Sequence, residues 1–129
     1  MDGKKAIESF TIMNELVLPN DTNTFGNLMG GRLMYWMDIA AGIAASKHCN
    51  APNMTASVDN LSFKNPIKLG NVVHIEAKVS RAFNTSMEIF LKAIRQAICV
   101  ISIASLQLII QNMNCTIMIR SMIGRTLLN

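Results

Sequence analysis

Asp21-Thr22-Asn23-Thr24-Phe25-Gly26-Asn27-Leu28-Met29-Gly30-Gly31-Arg32-Leu33-Met34-Tyr35-Trp36-Met37-Asp38 is the stretch that decides the fold: a polar loop hands a Gly-Gly pair to an apolar helix. Between Pro19 and Gly31 the chain is rich in Asn, Asp, Thr and Gly, which build turns through side-chain bonds or positive φ. About a dozen residues therefore form a loop, a length that often carries function. From Arg32 to His48, the residues Leu33, Met34, Met37, Ala40, Ala41, Ala44 and Ala45 recur at three- and four-residue spacings, which predicts one apolar stripe on a helix. Cys49-Asn50-Ala51-Pro52-Asn53 closes it, because the residue before a proline disfavours helical dihedrals.

Outward from this core, Phe10 to Val17 reads as a first strand, ended by Leu18-Pro19. Thr55 to Phe63 begins a strand section, and Pro66 to Asn71 supplies a turn. Val72 to Arg81 then alternates Val73, Ile75, Ala77 and Val79 with polar partners. Asn84-Thr85 marks a hairpin into Met87 to Lys92. Strand, loop, long helix and several consecutive strands make one α+β domain over residues 1–129, an antiparallel sheet packed on a single helix. After Glu88 the character changes: no acidic residue follows, and the β-branched run through Ala97 to Ile110 suits buried strands without offering a turn signal.

A chain of 129 residues is one ordinary domain. Half of it is apolar and only 16% is charged, against the ~25% usual for soluble domains, which points to self-association. The formal charge of +4 is scattered over positions such as Lys64, Lys68, Lys78 and Arg81, with no basic run or interleaved aromatics. That argues against nucleic acid and suits a phosphate-bearing small molecule. Cys49, Cys99 and Cys115 show no CxxC pair and no metal spacing, so reduced thiols and a cytoplasmic location are expected. The N-terminus lacks the apolar stretch of a signal peptide. Ala97 to Ile110, interrupted by Ser102, Ser105 and Gln107, is shorter than the ~20 residues of a spanning helix, so no membrane is expected.

The chemistry is concentrated in the opening stretch. Gly30 and Gly31 let backbone approach a ligand, and the free N–H groups of a helix N-terminus can polarise a carbonyl and hold the oxyanion formed on attack. Tight packing at the start of the helix is the other reading of that pair. Asp38, set among Met34, Tyr35, Met37 and Ile39, suits a general base or nucleophile if burial raises its pKa, and a solvated helix-face aspartate if not. Asn23 can orient a water or a reacting carbonyl, or serve simply as a turn residue. His48 and His74 have no acidic partner in sequence and are read as structural. No G-x-S-x-G serine elbow and no clustered Cys and His metal set is present.

With these residues in place, the chain resembles the acyl-CoA thioesterases of the hotdog fold. The likeness rests on Pro19-Asn20-Asp21-Thr22-Asn23, Gly26-Asn27, Gly30-Gly31 and Met37-Asp38, then Thr55-Ala56-Ser57-Val58-Asp59, Phe63, Pro66, Gly70 and Asn84-Thr85-Ser86-Met87. The resemblance implies a long helix wrapped by a curved antiparallel sheet. It implies homodimers with two active sites at the subunit interface, and assemblies of such dimers up to hexamers. It places the catalytic carboxylate on Asp38 and its partner on Asn23, with the thioester oxygen at Gly30 and Gly31. Coenzyme A phosphates are expected near Lys64, Lys68, Arg81 and the Asn84-Thr85-Ser86 turn. The implied reaction is hydrolysis of acyl-CoA to a fatty acid and free coenzyme A, with no metal or redox cofactor. A hotdog dehydratase and a non-catalytic acyl-CoA-binding or regulatory module are the alternatives. Ala93 to Asn129 departs from the family pattern, as a shifted reading frame would make it do, and this predicts loss of the last strand and an exposed sheet edge.

Overall fold

The computed structural model describes residues 4–59, 61–96 and 115–122, with backbone alone for residue 96 and for 115–122. A 3-10 turn (Ala6–Ser9) leads into β1 (Thr11–Leu16), and a second (Pro19–Asp21) opens the loop before α1 (Gly30–Cys49). Strands β2 (Met54–Val58), β3 (Val72–Ala82), β4 (Ser86–Gln96) and β5 (Cys115–Met122) follow. They form one five-stranded sheet in the order β1-β3-β4-β5-β2, with every neighbouring pair antiparallel. The expected α+β architecture is what the chain adopts.

Helix and sheet meet through most of the residues whose periodicity announced them; Met34, expected in the helix stripe, is exposed, and Trp36 is buried in it instead. Leu33, Trp36, Met37, Ala40, Ala41, Ala44 and Ala45 form the buried stripe of α1. They face Val73, Ile75, Ala77 and Val79 of β3 and Met87, Ile89, Leu91 and Ala93 of β4, all buried. Four alanines in that stripe let the helix lie close to the sheet, and each fully buried Val, Leu, Ile or Met contributes about 1.5–3 kcal/mol. The buried Ser9 beside this layer is paired. Ser9 Oγ accepts a hydrogen bond from Val79 N at 2.9 Å and donates to Ala6 O at 2.6 Å. It takes up the ladder just where β1 runs out, since β1 pairs with β3 only as far as Thr11 opposite Ala77.

Several boundaries differ from expectation. The helix starts two residues earlier than Arg32, at Gly30, and runs one residue past His48 to Cys49. Asn50 then turns left-handed (φ 52°), its N–H reaching Ser46 O at 2.9 Å, a C-terminal role that Asn shares with Gly. Strand β2 stops at Val58 rather than Phe63, because the chain leaves the sheet to bring Phe63 against the first turn of α1. The expected loss of a strand from the tail is not seen: Cys115–Met122 lies between β4 and β2, pairing with Ser86 to Ala93 on one side and Met54 to Val58 on the other. The buried strands expected within Ala97 to Ile110 fall outside the described residues, as does Cys99, while Cys49 is a free thiol. No described helix is long and apolar enough to cross a membrane.

Candidate active site

Asp21 fastens the loop to the helix. Its buried carboxylate accepts Leu18 N through Oδ2 and holds Arg32 Nε through Oδ1, both at 3.0 Å, while its backbone oxygen accepts Met29 N at 2.9 Å. Two chain segments and the first helical turn therefore converge on one residue. Sequence reasoning used Asp21 only as a turn former; its partner Arg32 lies eleven positions on, a separation that carries no periodic signal.

Asn23 shapes the loop tip. Its Oδ1 accepts Phe25 N at 3.0 Å and Asn27 N at 3.2 Å, its N–H reaches Asn27 O at 2.8 Å, and Gly26 closes the turn with φ 73°. Leu28 N to Ile67 O (2.6 Å) and Leu69 N to Gly26 O (3.0 Å) tie the tip to the turn before β3. Both readings of Asn23 thus coexist: its carboxamide oxygen holds the turn, and its exposed NH2 makes no hydrogen bond among the described residues.

At the helix start, Met29 provides no side-chain cap. Arg32 and Leu33 are the first to donate back, both to Met29 O at 3.1 Å, so the N–H groups of Gly30 and Gly31 have no partner among the described residues. Two adjacent donors at the positive end of a 20-residue helix are chemically able to hold an anionic oxygen. The two glycines differ in their surroundings. A Cβ on Gly30 would lie 3.2 Å from Phe63 Cζ, whereas one on Gly31 would meet nothing within 4 Å. Gly30 opens onto a groove of about 350 Å³ between Asn23, Leu33, Phe63, Lys64 and Ile67.

Asp38 lies elsewhere on the helix, and it is exposed, not buried. Its neighbours Met37 and Ile39 are apolar, but Met37 turns into the core and successive helical residues point about 100° apart, so Asp38 faces outward. Met34, Tyr35, Ile39 and Ile43 stand exposed around it. Thr55 Oγ1 donates to Asp38 Oδ1 at 2.5 Å. Thr55 sits where the β2–β5 register slips between Thr55 and Ser57, a one-residue bulge of the kind that re-aims side chains. This threonine was quoted from the sequence only as strand; tertiary folding alone brings it to Asp38. Gly30 and Asp38 are eight residues apart, about 12 Å along the axis, a gap that one side chain plus one hydrogen-bond length does not close.

The residues expected around coenzyme A fall into two groups. Lys64 lines the groove, and Lys68 is bridged to Asn27 beside it. Asn84 and Thr85 lie in the β3–β4 turn, with Arg81 near the end of β3 and Ser86 opening β4, and Phe83 N to Ser86 O at 2.8 Å closes it. β3 separates the groups by about 33 Å at strand rise, so one chain does not bring them together. His74 stands on the sheet's outer face between Asn14 Oδ1 (2.7 Å) and Glu76 Oε1 (3.1 Å), so it does have an acidic partner. Neither histidine lines the groove. Among the described residues no three His, Cys, Asp or Glu are grouped to hold a metal.

Residues 25–98 match the family model of the thioesterase superfamily. The chain belongs to the thioesterase superfamily. Within it, this thioesterase-superfamily chain is 44% identical over 87 residues to acyl-coenzyme A thioesterase 11 of Mus musculus, a match covering 67% of this chain and 15% of the relative. It is 38% identical over 89 residues to an acyl-CoA thioester hydrolase of Bacillus subtilis, covering 69% and 52% respectively, so the chain spans about half the length of that relative. Among solved structures, an acyl-CoA hydrolase of Staphylococcus aureus, in complex with butyryl coenzyme A and coenzyme A, superposes with a TM-score of 0.79 at 30% identity, over 95% of this chain and 70% of that one. Variants of that hydrolase with a threonine, an asparagine or an aspartate replaced by alanine match similarly. A hexameric hotdog-fold thioesterase of Campylobacter jejuni matches with a TM-score of 0.74 at 27% identity, over 87% and 80%. The helix packed on its antiparallel sheet is the hotdog fold.

Proposed function

We propose that this chain hydrolyses acyl-CoA thioesters to a carboxylic acid and free coenzyme A, in sites completed by two copies of the chain. The observation that carries the reading is the pair of N–H donors at Gly30 and Gly31, unpartnered among the described residues and with Gly30 lining a groove, in a fold that also presents the Thr55-held carboxylate of Asp38. The thioester oxygen accepts from those two donors, which become more favourable as negative charge builds on it. Asp38 takes a proton from water as the oxygen adds, the C–S bond breaks and the thiolate leaves with that proton; or Asp38 attacks the carbonyl itself, expelling the thiolate and forming a mixed anhydride that water then hydrolyses, its proton passing to the thiolate. Thr55 fixes the carboxylate by donating to one oxygen and leaving the other free. The free NH2 of Asn23 orients the thioester or the water.

The spacing of the altered residues in the Staphylococcus aureus hydrolase supports these roles. There the aspartate follows the asparagine by fifteen residues and the threonine follows the aspartate by seventeen, the spacing of Asn23, Asp38 and Thr55 here.

Pairing supplies what one chain lacks. Asp38 cannot reach a carbonyl held at its own Gly30, and it stands among exposed Tyr35, Ile39 and Ile43 beside β2, an edge strand carrying exposed Met54 and Val58. A second copy covering this face brings its own helix start to Asp38, and the hexameric relative supports assembly of such dimers. Another copy's β3–β4 turn would likewise carry Arg81, Asn84, Thr85 and Ser86 towards Lys64 and Lys68 for the phosphates of one coenzyme A. A cytoplasmic location belongs to the same proposal, in keeping with the free Cys49 thiol.

Thiol release from acyl-CoA, followed with a thiol reagent, tests the reading in the wild type and in Asp38→Ala. Release that Asp38→Ala abolishes is expected. Binding without turnover in the wild type supports a non-catalytic module instead, and unchanged turnover in the variant removes Asp38 from the mechanism.

A further inference from the structure

The groove at Gly30 has one wall that the reaction above does not use. Phe63 lies after β2, outside any strand, half exposed, with its para carbon aimed at the first residue of α1. The three ring atoms nearest a Cβ on Gly30 would lie at 3.2, 3.5 and 3.7 Å. A Cβ at position 30 would therefore press on the ring edge, which stands beside the helix start where the N–H of Gly30 has no partner among the described residues. Leu33 and Ile67, buried, complete the apolar side of the groove, and Asn23 and Lys64 its polar rim.

We infer that Phe63 is a specificity-determining residue, the wall that admits acyl groups unbranched next to the carbonyl and rejects those branched there. The inference rests on the reading that Gly30 and Gly31 hold the thioester oxygen. An oxygen about 2.9 Å from those nitrogens puts the carbonyl carbon within one bond length of it, and so within the reach of a ring seated on Gly30. A straight chain presents one CH2 to the ring face or edge. An α-methyl branch adds a second carbon at the same distance from the carbonyl. Because the ring is packed on backbone, it has no room to retreat on that side, and overpacking of this kind has a free-energy cost. Branching one carbon further out moves the extra methyl away from the ring.

The test is the kcat/KM of the wild type for butyryl-, isobutyryl- and isovaleryl-CoA, repeated in Phe63→Leu and Phe63→Ala. The expected wild-type pattern is a preference of about tenfold or more for butyryl over isobutyryl, with isovaleryl close to butyryl, in line with the discrimination one methyl supplies in an apolar site. Either variant should bring the butyryl to isobutyryl ratio to within about threefold. A wild type that treats the α- and β-branched groups alike overturns the inference without any variant. So does a folded variant that keeps the wild-type ratio, or one that loses all three substrates equally. If the wild type turns over only longer acyl-CoAs, the same ratio is read on a straight and a 2-methyl-branched pair of that length; a wild type that turns over no acyl-CoA removes the hydrolase reading itself, and the inference with it.

Discussion

The two ends of the site are built differently. From Asp21 to Met29 the backbone N–H groups other than that of Thr24 have partners: Asp21 clamps three segments, Asn23 closes the tip, and residues 67 and 69 bind the loop from the other side. From Asp38 to Thr55 a few side-chain hydrogen bonds, Thr55 to Asp38 and Asn53 to Ser46 and Gly42, cross an exposed face flanked by apolar side chains and by an edge strand that is paired on one side only among the described residues. The first region is finished within one chain, whereas the second is a half-surface. The difference teaches where each kind of precision comes from: backbone donors can be held in place before any ligand arrives by local hydrogen bonds, whereas in the proposed dimer the Asp38 carboxylate would take its final environment from the second copy.

The strongest way to break this comparison is to disable one region in each of two chains. Asp38→Ala should lower kcat/KM by about 10³-fold, within the range for removing a general base, while leaving Tm unchanged because the side chain is exposed. Mixed and reassembled with an inactive Asn23→Ala chain, it should regain about a quarter of wild-type activity, since about half the dimers are mixed and each has one intact site. No recovery after verified exchange would show that each chain holds a whole site.

Thr55 offers a smaller effect in the exposed region. Thr55→Ala should cost about tenfold to a hundredfold in kcat, the scale of residues that orient a catalytic group, and Thr55→Ser should restore most of it. A serine variant as impaired as the alanine one would place the methyl, rather than the hydroxyl, in the role.

The built region predicts stability changes instead. Ser9→Ala leaves Val79 N–H unpaired in a buried layer and should cost about 1–3 kcal/mol in denaturant unfolding, with kcat/KM unaltered. Gly30→Ala pushes against Phe63 and should destabilise by about 1–3 kcal/mol. Gly31→Ala meets nothing within the chain and should hold or raise stability by about 0.5–1 kcal/mol, as Ala does in place of Gly in a helix. If Gly31→Ala nevertheless lowers activity, the space beside Gly31 is filled by substrate or by the second copy; equal destabilisation by the two substitutions would contradict the contrast between the glycines.

Much of this was legible before folding. The three- and four-residue spacing of Leu33 to Ala45 and the alternation of Val73 to Val79 are local patterns, and periodicity translates them directly into a helix stripe and a strand face. Gly30, Gly31, Asn23 and Asp38 could be picked out because Gly-Gly, Asn in a loop and a carboxylate on an apolar stretch are local anomalies too. The sequence by itself therefore determined the elements, the buried stripe and the candidate chemistry. Which way Asp38 faces, its bond with Thr55 seventeen residues away, the ring of Phe63 against Gly30 and the separation of Lys64 from Arg81 were decided only by tertiary structure. Each depends on how distant segments stack, and that is set by the sheet order β1-β3-β4-β5-β2, which no local spacing encodes.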